Sequence, residues 1–255
     1  MNPSTDTLSK VPAVTLGFWA IKILATTLGE TGGDTVSMTM DLGYLTGSAI
    51  FLTVLIVLAA LQIAAKAFHP ALYWATIIAS TTAGTTMADF ATRSMGVGYL
   101  GGSMILFAAV LVLLGLWYRT LGSISVDTVT TPKVEAFYWA TITMSQTLGT
   151  ALGDWAAASG LGYDGGAVVF GALLSVVGAV YFWTKISRVL LFWTAFILTR
   201  PLGATIGDYL DKPAEDGGLA FSRPLASGVL AVLIIVLIVV IPQRAGRHPG
   251  ESAAP

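Results

Sequence analysis

The sequence predicts an all-α membrane protein of eight transmembrane helices, arranged as four parallel two-helix repeats in a pseudo-symmetric bundle. Three observations support this fold class. Of the 255 residues, 55% are hydrophobic and only 11% are charged, whereas soluble domains carry about 25% charged residues. Eight apolar stretches are long enough to cross a bilayer. One residue pattern also recurs four times along the chain, in step with alternate stretches.

The eight stretches each approach the roughly 20 helical residues that a bilayer core requires. The predicted spans are about 13–35, 44–64, 71–92, 98–118, 134–157, 162–184, 188–210 and 220–241. Together they form a single transmembrane domain, residues 13–241. We expect a cytoplasmic N-terminal segment over residues 1–12 and a disordered cytoplasmic tail over residues 242–255.

The basic residues predict the orientation of the spans. An even number of spans places both termini on one side, and that side collects Lys10, Lys66, Arg119, Lys133, Lys185, Arg188, Arg244 and Arg247. The opposite side has Arg93, Lys212 and Arg223. Because basic residues concentrate in cytoplasmic loops, both termini should be cytoplasmic.

The repeat begins with a tryptophan near the start of each odd-numbered span: Trp19, Trp74, Trp139 and Trp193. A glycine follows ten residues later, a small residue fourteen later, and an aspartate fifteen later. These positions are Gly29, Gly84, Gly149 and Gly203; Gly33, Ala88, Gly153 and Gly207; and Asp34, Asp89, Asp154 and Asp208. The repeats cover approximately 13–64, 71–118, 134–184 and 188–241, and all insert in the same direction. A pseudo-fourfold ring and a pair of pseudo-twofold halves are both compatible with this pattern.

This pattern resembles a family of uncharacterised bacterial membrane proteins built from four tandem two-helix repeats, each with a characteristic tryptophan. The resemblance covers about residues 13–241 and rests on the four repeat tryptophans. It implies a bacterial inner-membrane location, with the chain passing the membrane several times. It implies no activity, since the function of that family is unknown.

The small residues and the tryptophans have an ordinary structural interpretation. Small residues four apart allow helix backbones to approach closely in lipid, so we expect the eight glycine and alanine positions to be packing residues. Tryptophans near the ends of spans are typical of membrane-interface anchors, and a direct role in a site is the alternative.

Each odd-numbered span also carries a polar stripe, since residues four apart share a helix face. The stripes are Thr26, Glu30 and Asp34; Thr81, Thr85 and Asp89; Gln146, Thr150 and Asp154; and Arg200, Ala204 and Asp208. Charged residues at membrane depth usually face the bundle interior or line a pathway, so the stripes predict a shared polar axis. The alternatives are that each aspartate ends its helix in water, or that the hydroxyls bond only to carbonyls of their own helix.

Two cations, Lys22 and Arg200, lie near mid-span and each needs a partner. Glu30 is the one extra acid, so we predict a network of Lys22, Glu30 and Arg200, acting as a structural lock or as a gate. The five acids exceed these two cations, and clustered carboxylates favour shared protons.

The acids and hydroxyls favour a permease for a small solute, in particular a cation such as a divalent metal coupled to protons, because hard cations prefer oxygen ligands. The predicted ion or proton site comprises Asp34, Asp89, Asp154, Asp208 and Glu30. The alternative is a non-transporting scaffold, sensor or assembly partner. An enzyme is not expected, since no nucleophile or histidine motif accompanies the acids, and the chain has no cysteine. We expect no cofactor beyond a bound inorganic cation, no nucleic-acid partner, and contacts with lipid and a small ion.

Overall fold

The computed structural model describes residues 9–246, and this part of the chain contains eight α-helices. They are α1 (Leu16–Asp34), α2 (Gly43–Ala64), α3 (Pro70–Asp89), α4 (Tyr99–Leu121), α5 (Pro132–Ala156), α6 (Gly162–Trp183), α7 (Arg188–Asp211) and α8 (Arg223–Val240). Each predicted span corresponds to one helix.

Five helical stretches of the described residues are long and apolar enough to cross a membrane: α2, α4, α7, α8 and the continuous stretch Pro132–Trp183 that holds α5 and α6. Helices α1 and α3 are not among them, because their hydroxyl, glycine and charged residues lower the hydropathy. The chain is therefore a helical membrane protein, while the count of eight membrane spans stays a prediction.

The first three repeats join their two helices in the same way. A π-helical turn follows α1, α3 and α5, and the chain then reaches a glycine with positive φ: Gly43 (75°), Gly98 (75°) and Gly162 (68°). Positive φ is strained for residues that have a Cβ, which explains the glycine in each glycine–tyrosine pair. The fourth repeat lacks this pair and has a short 3₁₀ turn, Ala214–Asp216, instead.

The odd-numbered helices form a closed inner ring in which α1 packs on α3, α3 on α5, α5 on α7, and α7 on α1. The even-numbered helices lie outside this ring. Each packs on the inner helix of the following repeat, so α2 covers α3 and α8 closes the circle on α1. The two helices of one repeat make few contacts with each other, and neighbouring repeats therefore interlock.

The aromatic core fills the end of the ring where the inner helices begin. Trp74, Trp139 and Trp193 are only 1%, 5% and 3% exposed, and Trp19 packs partly buried against the same core. The interpretation of the repeat tryptophans as membrane-interface anchors is therefore wrong for these three buried residues. The physical reason is that α4, α8 and the terminal segments cover this end, so the indoles are enclosed by protein.

Both ends of the described chain meet below this aromatic core. Ala13 donates a backbone hydrogen bond to Arg244 (2.8 Å), and Gly246 donates one to Val11 (2.8 Å). The disordered tail predicted from residue 242 is therefore wrong for residues 242–246, because their backbone groups pair with residues 9–13. Residues 1–8 and 247–255, which include Arg247 and the rest of the predicted tail, lie outside the described residues.

Candidate functional site

The glycine ten residues after each tryptophan fixes the register of the inner ring. A Cβ added to Gly29 would lie 2.4 Å from Thr81 Cγ2, and one added to Gly203 would lie 2.1 Å from Thr26 Oγ1. Gly149 and Gly84 meet Arg200 and Gln146 in the same way. Each glycine thus receives the polar residue of the next repeat, and the fourth repeat contacts the first.

The second small residue repeats this contact one turn further along. A Cβ on Gly33 would lie 3.1 Å from Thr85, and a Cβ on Gly207 would lie 2.7 Å from Glu30. Gly153 faces Ala204 at 3.1 Å, and Ala88 is fully buried. The small residues therefore pack helices, as the sequence predicts, and they align the four polar stripes in register.

The aligned stripes form three layers around the axis of the ring. The Arg200 layer contains Thr26, Thr81, Gln146 and Arg200; the Glu30 layer contains Glu30, Thr85, Thr150 and Ala204; and the aspartate layer contains Asp34, Asp89, Asp154 and Asp208. Every one of these residues is at most 5% exposed. The alternative in which the aspartates end their helices in water is therefore not what the structure shows.

Arg200 crosses the axis and contacts all three other inner helices. Its Nη2 lies 2.9 Å from Glu30 Oε2 and also donates to the hydroxyls of Thr85 and Thr150. Its Nη1 donates to the carbonyl of Thr26 at 3.4 Å. Charge-assisted bonds of this kind are stronger than neutral ones, so Arg200 ties the ring together at this level.

The predicted network of Lys22, Glu30 and Arg200 is present only in part. Glu30 and Arg200 form the ion pair, whereas Lys22 Nζ has no hydrogen-bond partner among residues 9–246. Lys22 Nζ instead lies 4.1 Å from the centroid of the Phe196 ring. The backbone explains the difference, since Lys22 is two helical turns before Glu30 and its side chain points to α7.

Two cations bridge the four aspartates in pairs. Arg93 Nε lies 2.7 Å from Asp89 Oδ1, and its Nη2 lies 3.2 Å from Asp154 Oδ1. Lys212 Nζ lies 2.9 Å from Asp208 Oδ1 and also pairs with Asp34 Oδ2.

Each of these cations follows the aspartate of its own repeat by four residues and reaches the aspartate of the next. Because only the second and fourth repeats supply such a cation, the charge pattern is pseudo-twofold on a pseudo-fourfold ring.

A second pair of charges borders the aspartate layer near Lys212. Asp211 Oδ1 lies 3.7 Å from Lys212 Nζ, and Arg223 Nε lies 3.4 Å from Asp211 Oδ2. From the sequence, Arg93, Lys212 and Arg223 are expected only as basic residues of the outer side, and their pairing with the aspartates is not predicted. The signal that could have found Arg93 and Lys212 is the spacing of four residues from a buried aspartate.

Lys212 stays charged in this environment. Burial by itself lowers the pKa of Lys212, but the carboxylates of Asp208, Asp34 and Asp211 raise it by more, so the pKa lies well above its ordinary value. The pKa of Arg93 is also raised, because the carboxylates of Asp89 and Asp154 raise it by more than burial lowers it. Both side chains therefore act as fixed positive charges beside the aspartate layer.

Below Arg200 the axis is largely apolar, apart from Lys22 and the hydroxyls of two tyrosines. In the turns below it, the corresponding positions hold Lys22, Ile77, Ile142 and Phe196, and then Phe18, Tyr73, Tyr138 and Phe192. All of these are buried, and the hydroxyls of Tyr73 and Tyr138 bond to each other at 2.7 Å. The predicted polar axis therefore extends from the aspartate layer to Arg200 and is closed beyond it by aliphatic and aromatic side chains.

The four repeats match a family model described as a Repeat of Unknown Function (DUF347), over residues 17–68, 72–123, 137–187 and 191–243. The chain belongs to the DUF347 repeat family. Each match begins two residues before a repeat tryptophan, so the family model confirms both the number of repeats and their phase. Comparison with curated proteins and with solved structures gives no match.

Within the DUF347 ring, Asp34 belongs to two groups of closely spaced carboxylates. Oxygens of Glu30, Asp34 and Asp89 all lie within 4.8 Å of one another, and so do those of Asp34, Asp208 and Asp211. Oxygen ligands at this spacing suit hard cations such as Mn²⁺, Mg²⁺ or Ca²⁺. Asp154, which is paired with Arg93, belongs to neither group. The structure thus brings Glu30 and three of the predicted aspartates together and places Asp154 beside them.

Proposed function

We propose that this protein is a permease for a small cation, exchanged for protons, in a bacterial inner membrane. The buried aspartate layer is its ion site. In this proposal all eight helices cross the membrane, both termini are cytoplasmic, and the aspartate layer faces the outer side. The partners are lipid and a small ion, with no nucleic acid, no cofactor other than the ion, and no catalytic chemistry assigned to the acids.

The observation that carries the proposal is the excess of buried carboxylates over cations around Asp34. Five acids (Asp34, Asp89, Asp154, Asp208 and Asp211) face three cations (Arg93, Lys212 and Arg223) in this region. A purely structural charge cluster would be expected to balance, because uncompensated charge inside a membrane protein is costly. An excess of oxygen ligands is instead what an ion or a proton would neutralise.

In the proposed mechanism the ammonium of Lys212 competes with the ion for the same carboxylates. It sits between Asp34 and Asp208, where an entering cation would also be held, so it acts as a tethered substitute for the ion. Entry of the ion displaces the ammonium toward the outer face, and protons on the carboxylates take the place of the ion when it leaves. The metal ion, the Lys212 ammonium and protons therefore cannot occupy the carboxylates at the same time. Such competition is required for exchange of the metal ion against protons.

The closed half of the axis sets the direction in which the protein must open. Arg200 and the aliphatic and aromatic side chains below it separate the aspartate layer from the cytoplasmic end. On the opposite side the aspartate layer is bordered by the partly exposed side chains of Arg93 (32%) and Arg223 (22%), so we place the entry of the ion there. Transport would require the inner helices to separate at Arg200, and breaking its bonds is the step that controls passage.

A second candidate function, a non-transporting scaffold or assembly partner, is favoured by the same residue. Arg200 holds three neighbouring helices with charge-assisted bonds, as interhelical glue would do. The two candidates differ in what they predict for ion binding at the aspartate layer.

The experiment that separates them is Mn²⁺ binding to the purified protein, measured by equilibrium dialysis. Asp34→Asn removes a ligand shared by both carboxylate groups, and we expect it to abolish binding. Lys212→Met removes the competing ammonium, and we expect binding to tighten by about tenfold, equivalent to about 1.4 kcal/mol. Asp164→Asn is the matched control, since Asp164 is exposed at the start of α6.

Binding that is absent in the wild type, or that is equal in Asp34→Asn and Asp164→Asn, would contradict the permease and favour the scaffold. Weaker binding in a folded Lys212→Met variant would contradict the role given to Lys212 alone. A single symmetric peak in size-exclusion chromatography establishes that each variant is folded.

A further inference from the structure

Lys22 is a buried cation that the proposed cation pathway does not use. It is 0% exposed, and its Nζ has no hydrogen-bond acceptor among the described residues. The ammonium lies 4.1 Å from the centroid of the Phe196 ring on α7. A cation–π contact offsets only part of the cost of removing an ammonium from water.

A second cation lies one turn away. Arg200 follows Phe196 by four residues, so the two share a face of α7. Nη2 of Arg200 bonds to the Glu30 layer and Nη1 to the carbonyl of Thr26, while its Nε has no acceptor within the described chain. Lys22 and Arg200 together bring two positive charges to the middle of the ring, and Glu30 supplies the one carboxylate paired with them.

Two neutral groups at the level of Arg200 are also without partners. Thr81 Oγ1 and both amide atoms of Gln146 are buried and make no hydrogen bond to residues 9–246. Both residues are 0% exposed. A buried polar group that lacks a partner is destabilising, and a ligand that accepts hydrogen bonds would satisfy the hydroxyl of Thr81 and the amide NH₂ of Gln146.

The chemistry of these groups is that of an anion site. An ammonium, a guanidinium N–H and an amide NH₂ are donors and a hydroxyl can donate, while the amide oxygen of Gln146 is the one acceptor among these groups. The walls at the level of Lys22 are the fully buried Ile77 and Ile142. The aspartate layer is distant, since Asp34 follows Lys22 by twelve residues of helix, which rise about 18 Å.

We propose that Lys22, with Arg200 Nε, Gln146 and Thr81, binds a small monovalent anion of halide size in the closed half of the axis. The apolar walls favour an ion that loses its hydration readily, and the single uncompensated positive charge matches one negative charge. This site lies on the other side of Arg200 from the aspartate layer, and the two sites meet at Arg200, whose Nη2 pairs with Glu30.

The test uses the full-length protein in lipid nanodiscs, with thermal unfolding measured in chloride or bromide and in gluconate at equal ionic strength. Gluconate is too large for the site and provides the reference. For wild type we expect the midpoint in halide to exceed that in gluconate by about 5 °C, the shift for an anion near 100 times its dissociation constant. Lys22→Met should abolish the difference, whereas Lys66→Met, at an exposed lysine, should retain it.

Equal midpoints in halide and gluconate for the wild type would overturn the proposal and show that Lys22 is held uncharged instead. A halide effect that persists in Lys22→Met would overturn it as well. If Lys22→Met does not fold, anomalous diffraction from wild-type crystals grown in bromide decides the question, and absence of a bromide peak near Lys22 Nζ refutes the site. Asp34→Asn should keep the halide effect, so that failure of the cation site and failure of the anion site are distinguishable.

Discussion

Replacing Arg200 by methionine tests the most connected group of the ring. The variant removes the 2.9 Å pair with Glu30 and the bonds to Thr85 and Thr150, and it leaves Glu30, 2% exposed, without a cation. Breaking a buried pair in this way costs about 3–5 kcal/mol. For a chain of this length we expect the unfolding midpoint to fall by about 6–10 °C, taking about 2 °C for each kcal/mol.

A second substitution, at Glu30, should restore part of the lost stability. In the double variant Arg200→Met with Glu30→Gln neither member of the ion pair leaves a charge behind, so the loss should shrink to about 2 kcal/mol or less. The midpoints are measured by tryptophan fluorescence in lipid nanodiscs, where the buried indoles report loss of packing. The matched control Arg119→Met, at an exposed arginine of α4, should stay within about 0.5 kcal/mol of the wild type. If the single variant matched this control, or if the double variant were no more stable than the single one, our account of Arg200 would be refuted.

Two further predictions concern packing and charge. Gly149→Ala places a Cβ 2.2 Å from Arg200 Cγ and should destabilise the protein by about 3 kcal/mol, whereas Gly115→Ala, in open space on α4, should be neutral in the same unfolding assay. Neighbouring carboxylates raise the pKa of Lys212 against the lowering effect of burial, so its ammonium and the stability that it contributes persist as the pH rises into the alkaline range. Acylation at mildly alkaline pH, followed by mass spectrometry, should therefore modify the exposed Lys66 and spare Lys212; equal modification would contradict this.

The four-repeat organisation and the burial of the aspartates could be predicted from the sequence. Both follow from local spacing. Asp34 follows Trp19 by fifteen residues of helix, and the same spacing occurs in all four repeats. The close contacts of Gly29 and Gly203 were predictable for the same reason. Small residues four apart on a membrane helix usually allow a neighbouring helix to pack closely.

The pairing of charges between repeats could not be predicted. Arg93 and Lys212 follow the inner helices and read as ordinary loop cations, and only the order of helices in the ring brings them to the aspartate of the next repeat. The outer helices raise the same difficulty, because a two-helix repeat suggests that its own two helices pack together, whereas α2 packs on α3 of the next repeat. The burial of Trp74 also depends on this arrangement, since α8 and the terminal residues cover it.

The central claim is that the aspartate layer passes cations through the ring, and ion flux in reconstituted liposomes tests it most directly. Liposomes loaded with a metal-sensitive and a pH-sensitive dye receive Mn²⁺ outside. For wild type and for Asp164→Asn we predict metal entry with matching proton exit, and for Asp34→Asn we predict neither. A wild-type flux no greater than that of protein-free liposomes, or an undiminished flux in Asp34→Asn, would contradict the account.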